Sequence, residues 1–399
     1  MMNLFLTINK KVQTLNPTSF LKLNLDSIPT IILRFTLIAW FISKLLCYRL
    51  WLSDRIYPIV PTIEFGFQIP GIVHTIFYIG SLIAILFLYL KPNKWQLYLV
   101  LFVIEVASCL LDQTRLQAWE YQYVLMLVIF LTNWKQSDRI ISLIVFLLCC
   151  TYIYSGICKW NPVFVQTFWQ ITILQNLLHV PTLIVNNRLV HQFGYALPGI
   201  EILGGILIVF DRTKRLGAGL LILMHLFTLL ILGPFGINYN NTVWSWNLVM
   251  MVYLFLIGFG QQSVPLKSIL SRKFLVNLPM LILLFVMPLF GFIEKWPYFF
   301  SFSLYSYKAK QLVISFEANS ENIHLFEPYF EEKRGYTWAN KNSRQVILQN
   351  WAMIEINSPP SPEDDYYIKF KEAFFNKFPS EKATFFLYQR GNSAIVLLK

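Results

Sequence analysis

Charge is what this sequence has least of. Asp, Glu, Lys and Arg make up 14% of its 399 residues, against about a quarter in an ordinary soluble chain. Hydrophobic residues reach 56% and aromatics 17%, and the mean hydropathy is +0.53. Lipid rather than water must solvate most of the surface. The basic excess, a formal net charge of +12, is scattered over short loops, which is a topology signal and not a nucleic-acid footprint. Cysteine is also scarce. Cys47, Cys109, Cys149, Cys150 and Cys158 lie in or beside apolar runs and form no C-x-x-C pair, which argues against a thiol oxidoreductase. No H-E-x-x-H or similar spacing joins the five histidines, so no metal is expected. Residues 1–27 carry Lys10, Lys11 and Lys22 but no small-residue cleavage site behind a short apolar core. They read as a cytoplasmic leader, not a cleaved signal peptide.

What is present is a series of apolar runs near the ~20 residues needed to cross a bilayer. They fall at 29–48, 71–90, 95–111, 119–133, 139–157, 195–210, 216–233, 242–259 and 274–293. The leader, Lys91/Lys94, Lys135/Arg139, Arg212/Lys214/Arg215 and Lys267/Arg272/Lys273 fall on one side of this alternation. Only Arg49, Arg55, Arg115, Lys159 and Arg188 fall on the other. The positive-inside rule then places the N-terminus inside. The expected architecture is an all-α polytopic membrane bundle of about nine transmembrane helices, N-in and C-out, over 28–293. A small extracytoplasmic α+β module follows at 294–399, with short strands at 313–316 and 344–348, a helix at 364–378 and a hairpin at 383–388 and 394–398. The abundance of Ile, Asn, Lys and Phe fits an A/T-rich coding bias, hence a bacterial inner membrane.

Ionisable residues inside the runs are costly in hydrocarbon and face a bundle interior. Glu105 is expected to pair with Arg34 as structural glue. Glu201 precedes Gly204-Gly205, which allows close helix approach, and His225 reads as an interhelical hydrogen-bonding group. Three polar loops collect on the outer side: 112–117 leading into Trp119–Tyr123, 155–162, and 233–241 leading into Trp244–Asn247. Between the second and third, 163–194 reads as an interfacial amphipathic helix bearing Trp169, Ile173, Leu177 and Leu178. Irregular backbone at membrane depth is tolerated mainly where it lines a cavity. The loops are therefore expected to rim one outward-facing pocket containing Arg115, Gln122, Tyr154, Asn161, His225, Asn240, Trp244 and Asn247. Lys159 ends the fifth run among aromatics, a glycine and a thiol. Either it snorkels toward headgroups or it is a desolvated amine able to act as a base.

The order Y-x-x-S-G-x-x-K-W-N (Tyr152–Asn161), interfacial stretch, Gly-rich helix, charged turn (Phe210–Arg215), His225 helix and Gly/Asn loop (233–241) resembles the vitamin K-dependent gamma-carboxylase-like family. Its shared bundle is the HTTM domain, and the resemblance spans roughly 28–260. It implies that Lys159, at the second lysine of that family's pair, deprotonates a reduced quinone of the vitamin K type. Cys158 stands in place of the first lysine, and Gln122 stands near the place of a family histidine. Two functions follow. One is a membrane enzyme, carboxylase-like or quinol-dependent, with Lys159 as catalytic base on a lipophilic substrate. Arg115 would hold an anion, and Gln122, Asn161, Asn240 and Asn247 would supply hydrogen bonds. The alternative is a non-enzymatic maturation or assembly factor whose bundle meets membrane lipid and whose outer module holds an exported protein or peptide. A transporter lacks support, since no internal repeat or matched pair of broken helices is visible.

Overall fold

The computed structural model describes residues 27–63, 66, 69–238, 240–260, 274–305, 309–317, 321–331, 344–389 and 395–398. The leader at 1–26, Lys267, Arg272 and Lys273, and the hairpin turn at 390–394 lie outside them. The principal helices are α1 (Ser27–Leu46), α2 (Gly71–Leu90), α3 (Trp95–Leu111), α4 (Ala118–Thr132), α5 (Ser137–Lys159), α6 (Val165–Leu177), α7 (Ala196–Leu207), α8 (Lys214–Leu232) and α9 (Thr242–Phe259). The tenth, α10, covers Val276–Ile293. It mixes α, π and 3-10 turns, as Pro279 and Pro288 remove two backbone donors within it.

Six of these helices are long and apolar enough to cross a membrane: α1, α2, α5, α8, α9 and α10. The described residues are thus mostly helical, consistent with a polytopic membrane protein. The other expected runs form shorter helices. Helices α3 and α4 are apolar but have 17 and 15 residues. The run at 195–210 folds only as the 12-residue α7, which at 1.5 Å per residue covers roughly 18 Å of a core of about 30 Å. The interfacial segment 163–194 is not one amphipathic helix either. It is α6, wound as a π-helix, then short helices at Thr182–Val185 and Arg188–Phe193. Trp169 and Gln170 tie them together by donating to Val190 O and Val185 O.

Helix α5 is the axis of the bundle. Ile140, Ile141, Leu143, Ile144, Val145, Leu147 and Leu148 are all buried, the mark of a helix apolar on every side. It packs on α7, which packs on α8; α8 packs on α9, and α9 on α1. Small residues set the α5–α7 distance. A Cβ on Gly156 would stand 2.9 Å from Pro198 O, and one on Gly205 2.9 Å from Tyr152 Cβ. On the other face of α7, a Cβ on Gly204 would meet Leu221 Cγ at 2.6 Å. The Gly204-Gly205 pair does wedge α7 between its neighbours.

The C-terminal region carries a four-stranded antiparallel sheet of order β2-β1-β3-β4, from β1 (Lys310–Phe316), β2 (Arg344–Ile347), β3 (Ala383–Gln389) and β4 (Ile395–Leu397). Val313 pairs with Ile347 on one side and Phe386 on the other. Helices α11 (Leu348–Ile356) and α12 (Asp364–Lys377) complete it. In α12, Tyr366, Phe370 and Phe374 recur at a spacing of four and are buried, while Asp364 and Asp365 open the helix and Lys377 closes it, matching its dipole.

This region sits on one end of the bundle. The Glu355 carboxylate accepts from Tyr57 N (2.9 Å), Ile56 N and Trp351 Nε1 (2.7 Å). Tyr366 OH meets both Tyr57 OH and Thr114 Oγ1 at 2.9 Å. Gln117 Nε2 donates to Pro359 O (2.9 Å), and Thr242 Oγ1 to Asn357 O (3.0 Å). The loops after α1, α3 and α8 thus meet the C-terminal region at a single end. Lys91, Lys94, Lys135, Arg139, Arg212 and Lys214 belong to the connections at the other end of the same helices.

Candidate functional site

Two adjoining cavities open where this end meets the C-terminal region. The smaller, about 80 Å³, is lined by Tyr152, Ser155 and Lys159 of α5, Glu201 of α7, His225 of α8 and Asn247 of α9. The larger, about 140 Å³, is lined by Gln117, Trp119, Asn240, Tyr298, Gln349 and Pro359 among others. Val243, Trp246, Leu304 and Tyr305 wall both.

Ser155 and Lys159 lie one turn apart on α5, so both point the same way. Lys159 Nζ donates to Ser155 Oγ (2.7 Å) and to both oxygens of Glu201 (2.9 and 2.8 Å). The close α5–α7 contact at Gly156 and Pro198 brings the two charges together. The side chain reaches three oxygens, as many as an ammonium has donors, so Glu201 and Ser155 together occupy it. That favours an anchoring role over a catalytic base.

One turn below, a second network crosses three helices. Asn247 Nδ2 donates to Val243 O (2.7 Å), a carbonyl that can only accept. This turns Asn247 Oδ1 toward His225 Nδ1 at 2.7 Å, and an oxygen there makes Nδ1 the donor. The neutral ring then accepts at Nε2 from Tyr152 OH, 2.7 Å away. His225 is hydrogen-bonded between helices, as its position in an apolar run implied.

The other expected pocket residues do not all converge. Asn240 lines the larger cavity in the left-handed region (φ 54), with its Oδ1 buried and unbonded. Gln122 sits behind the cavity wall, accepting from Trp246 Nε1 (3.0 Å) and donating to Met250 Sδ (3.0 Å). Tyr154 points the other way from α5 and donates to Phe285 O on α10. Asn161 caps the turn after α5, accepting from Phe164 N at 2.9 Å. Trp244 Nε1 donates to Leu232 O at 3.2 Å, a helix-to-helix strut.

Arg115 is fully buried away from Lys159. It donates to Leu50 O, Trp51 O, Ser108 O and Ser108 Oγ and meets His74 Nδ1 at 2.8 Å. Burial pulls its pKa down to about 10, with Asp112 opposing the shift and Arg55 adding to it. Asp112 takes Arg55 Nη2 at 2.5 Å and lies 3.9 Å from Arg115. Burial alone would raise this carboxyl, but Arg55 and Arg115, with the Thr114 N–H, hold it below the usual range. Arg115 is thus a girder under the docked C-terminal region and no anion hook for the cavity. The Glu105 pairing also differs from expectation. Its partner is Lys44 at 2.8 Å, and Arg34 lies instead over the Tyr89 ring.

Glu201 and Tyr152 were the partners that sequence reasoning left unjoined. The available signal was an acid inside one short apolar run with the next outer-end cation, Lys159, one helix before it.

Residues 137–235 match the family described as methylamine utilisation protein MauE. The match is partial, well under half of the chain. It holds Tyr152, Ser155, Lys159, Glu201 and His225; Asn247 lies outside it. No curated protein and no solved structure matches. The MauE match corrects the resemblance to gamma-carboxylases, because most of the segment that carried it, Tyr152 through the loop at 233–241, belongs to this other family's pattern. The expectation of a reduced quinone came with that resemblance and loses its support.

Proposed function

We propose that the chain is a multi-pass membrane factor for the maturation or assembly of an exported protein. The observation that carries this reading is that the segment matching a methylamine utilisation family also supplies most of the smaller cavity's polar groups. Those groups are bonded to one another rather than left open for chemistry. Such a site is built to hold a shape between helices, and a small C-terminal region beside it offers surface to a partner. In this reading 1–27 is a cytoplasmic leader, 28–293 the bundle and 294–399 an extracytoplasmic docking module. The basic connections face the cytoplasm of a bacterial inner membrane, and lipid covers the exposed apolar helix faces.

The test is quantitative proteomics of the exported fraction in the host, with and without the chain. The expected result is loss or immaturity of one or a few exported proteins, with their transcripts unchanged, restored by supplying the chain in trans. An unchanged exported proteome would sink the reading. Labelling of Phe235→Cys in intact cells by a membrane-impermeant thiol reagent checks the orientation, because Phe235 is 89% exposed at the docking end. Protection in intact cells and labelling only after lysis would reverse it.

A further inference from the structure

Deep in the bundle, and among the lining residues of neither cavity, Lys44 of α1 lies between two carboxylates. Its Nζ is 2.8 Å from Glu105 Oε2 of α3 and 4.0 Å from Glu120 Oε2 of α4, with every side chain 98% buried or more. The remaining face of the ammonium rests on the Trp51 ring, 3.1 Å from its centroid. Glu105 is fully served, since its other oxygen accepts from Ser81 Oγ of α2. Glu120 is not. Its Oε2 accepts from Trp40 Nε1 at 2.7 Å, while its Oε1 is buried without any hydrogen-bond partner.

We propose that this cluster is a proton-binding site, with one proton held on Glu120 at neutral pH. A buried carboxylate costs several kcal/mol unless it is paired and hydrogen-bonded, and Asp112 shows how this protein treats one. Asp112 accepts from Arg55, Thr114 N and Val60 N. Glu120 has one indole donor and a cation at 4.0 Å already engaged by Glu105. Two carboxylates competing for one cation cannot both ionise cheaply, and one takes a proton.

The other groups facing the cluster do not supply the missing charge. Arg115 directs its donors to backbone, Ser108 and His74, and lies 5.5 Å from the centroid of the Trp51 ring. Arg55 is bound to Asp112. Cys47, Cys109 and Tyr123 lie around the site, and thiols and phenols are ordinarily uncharged at pH 7. The proposal stands apart from the maturation reading, and neither depends on the other.

Infrared spectroscopy of the full chain in detergent tests it, by following the carboxylic C=O stretch at pH 7. Wild type is expected to show the band and Glu120→Gln to lose the part due to this site. Glu105→Gln should lose the same part, because Lys44 then serves Glu120 alone. Lys44→Met should roughly double it, because neither carboxyl then has a cation. A band unchanged by Glu120→Gln, or unchanged by Lys44→Met, would overturn the proposal. So would a Glu120→Gln chain that cannot fold, since the amide mimics the protonated acid and keeps the Trp40 bond.

Discussion

The Lys159–Glu201 pair makes the sharpest prediction, because its surroundings fix both the size and the asymmetry of the response. The side chains are 15% and 8% exposed, nearer to a buried pair, whose rupture costs about 3–5 kcal/mol, than to a surface pair worth under about 1 kcal/mol. The adjoining cavity admits some relaxation. Lys159→Ala leaves the Glu201 carboxylate alone and should destabilise by about 2–3 kcal/mol. Glu201→Gln leaves an ammonium that still reaches Ser155 and the cavity, so about 1–2 kcal/mol is expected. The double variant removes both charges and should cost less than the two losses added, by about 1–2 kcal/mol. The assay is equilibrium unfolding of the purified chain in mixed micelles with rising SDS, followed by the fluorescence of its tryptophans. Losses that add to within roughly 0.5 kcal/mol, the spread for independent sites, would refute the pairing. Lys159→Arg separates the roles further. A guanidinium keeps the pair but accepts no proton near neutral pH, so an anchor tolerates it and a base does not.

Three further outcomes follow from the same geometry. Tyr152→Phe leaves His225 Nε2 without its donor and should cost about 1–2 kcal/mol, while Asn247→Asp should hold the ring at Nδ1; unfolding curves and imidazole NMR check both. Asp112 has a folded pKa below its ordinary value, so its stabilisation is complete above the unfolded pKa near 4. It should fade as pH falls through and below that range, and Asp112→Asn should flatten the acid limb of the stability profile. Glu355→Gln weakens the acceptor for Ile56 N, Tyr57 N and Trp351 Nε1. Hydrogen exchange should quicken in 50–62 and 348–356 while α5 stays protected; equal quickening in α5 would contradict local docking.

Much of the architecture was legible because hydrocarbon imposes simple rules. Apolar length located most of the long helices, and connection charge placed Lys91, Lys135 and Arg212 away from the loops that meet the C-terminal region. The helix at 364–378 and the strands around 313 and 383 were visible from aromatic spacing and short apolar runs. What failed was anything that depends on which neighbour a helix chooses. Glu105 took Lys44 rather than Arg34, because α1 presents Lys44 to the interior and Arg34 to Tyr89. Arg115 and Tyr154 left the expected pocket because a loop turn and a helix face point them elsewhere. A linear sequence shows that an intramembrane charge needs a partner, but it does not say across which contact.

That limit explains why Lys159 was open to two readings. A lysine at the end of an apolar run, among aromatics and beside a thiol, has the same sequence surroundings whether it is a free amine or an ammonium in a pair. The difference lies across α7, where Gly156 and Pro198 bring Glu201 within 3 Å of it. The same two helices meet again where Gly205 lies against Tyr152, the partner of His225, so the two networks share one helix packing. A change in the spacing of α5 and α7 would disturb both at once. Cooperation of that kind suits a bundle that must hold or shift its shape for a partner. An acid–base centre, in contrast, needs one group left unsatisfied toward the cavity, whereas Lys159, Ser155, Glu201, Tyr152, His225 and Asn247 are each already bonded to a neighbour.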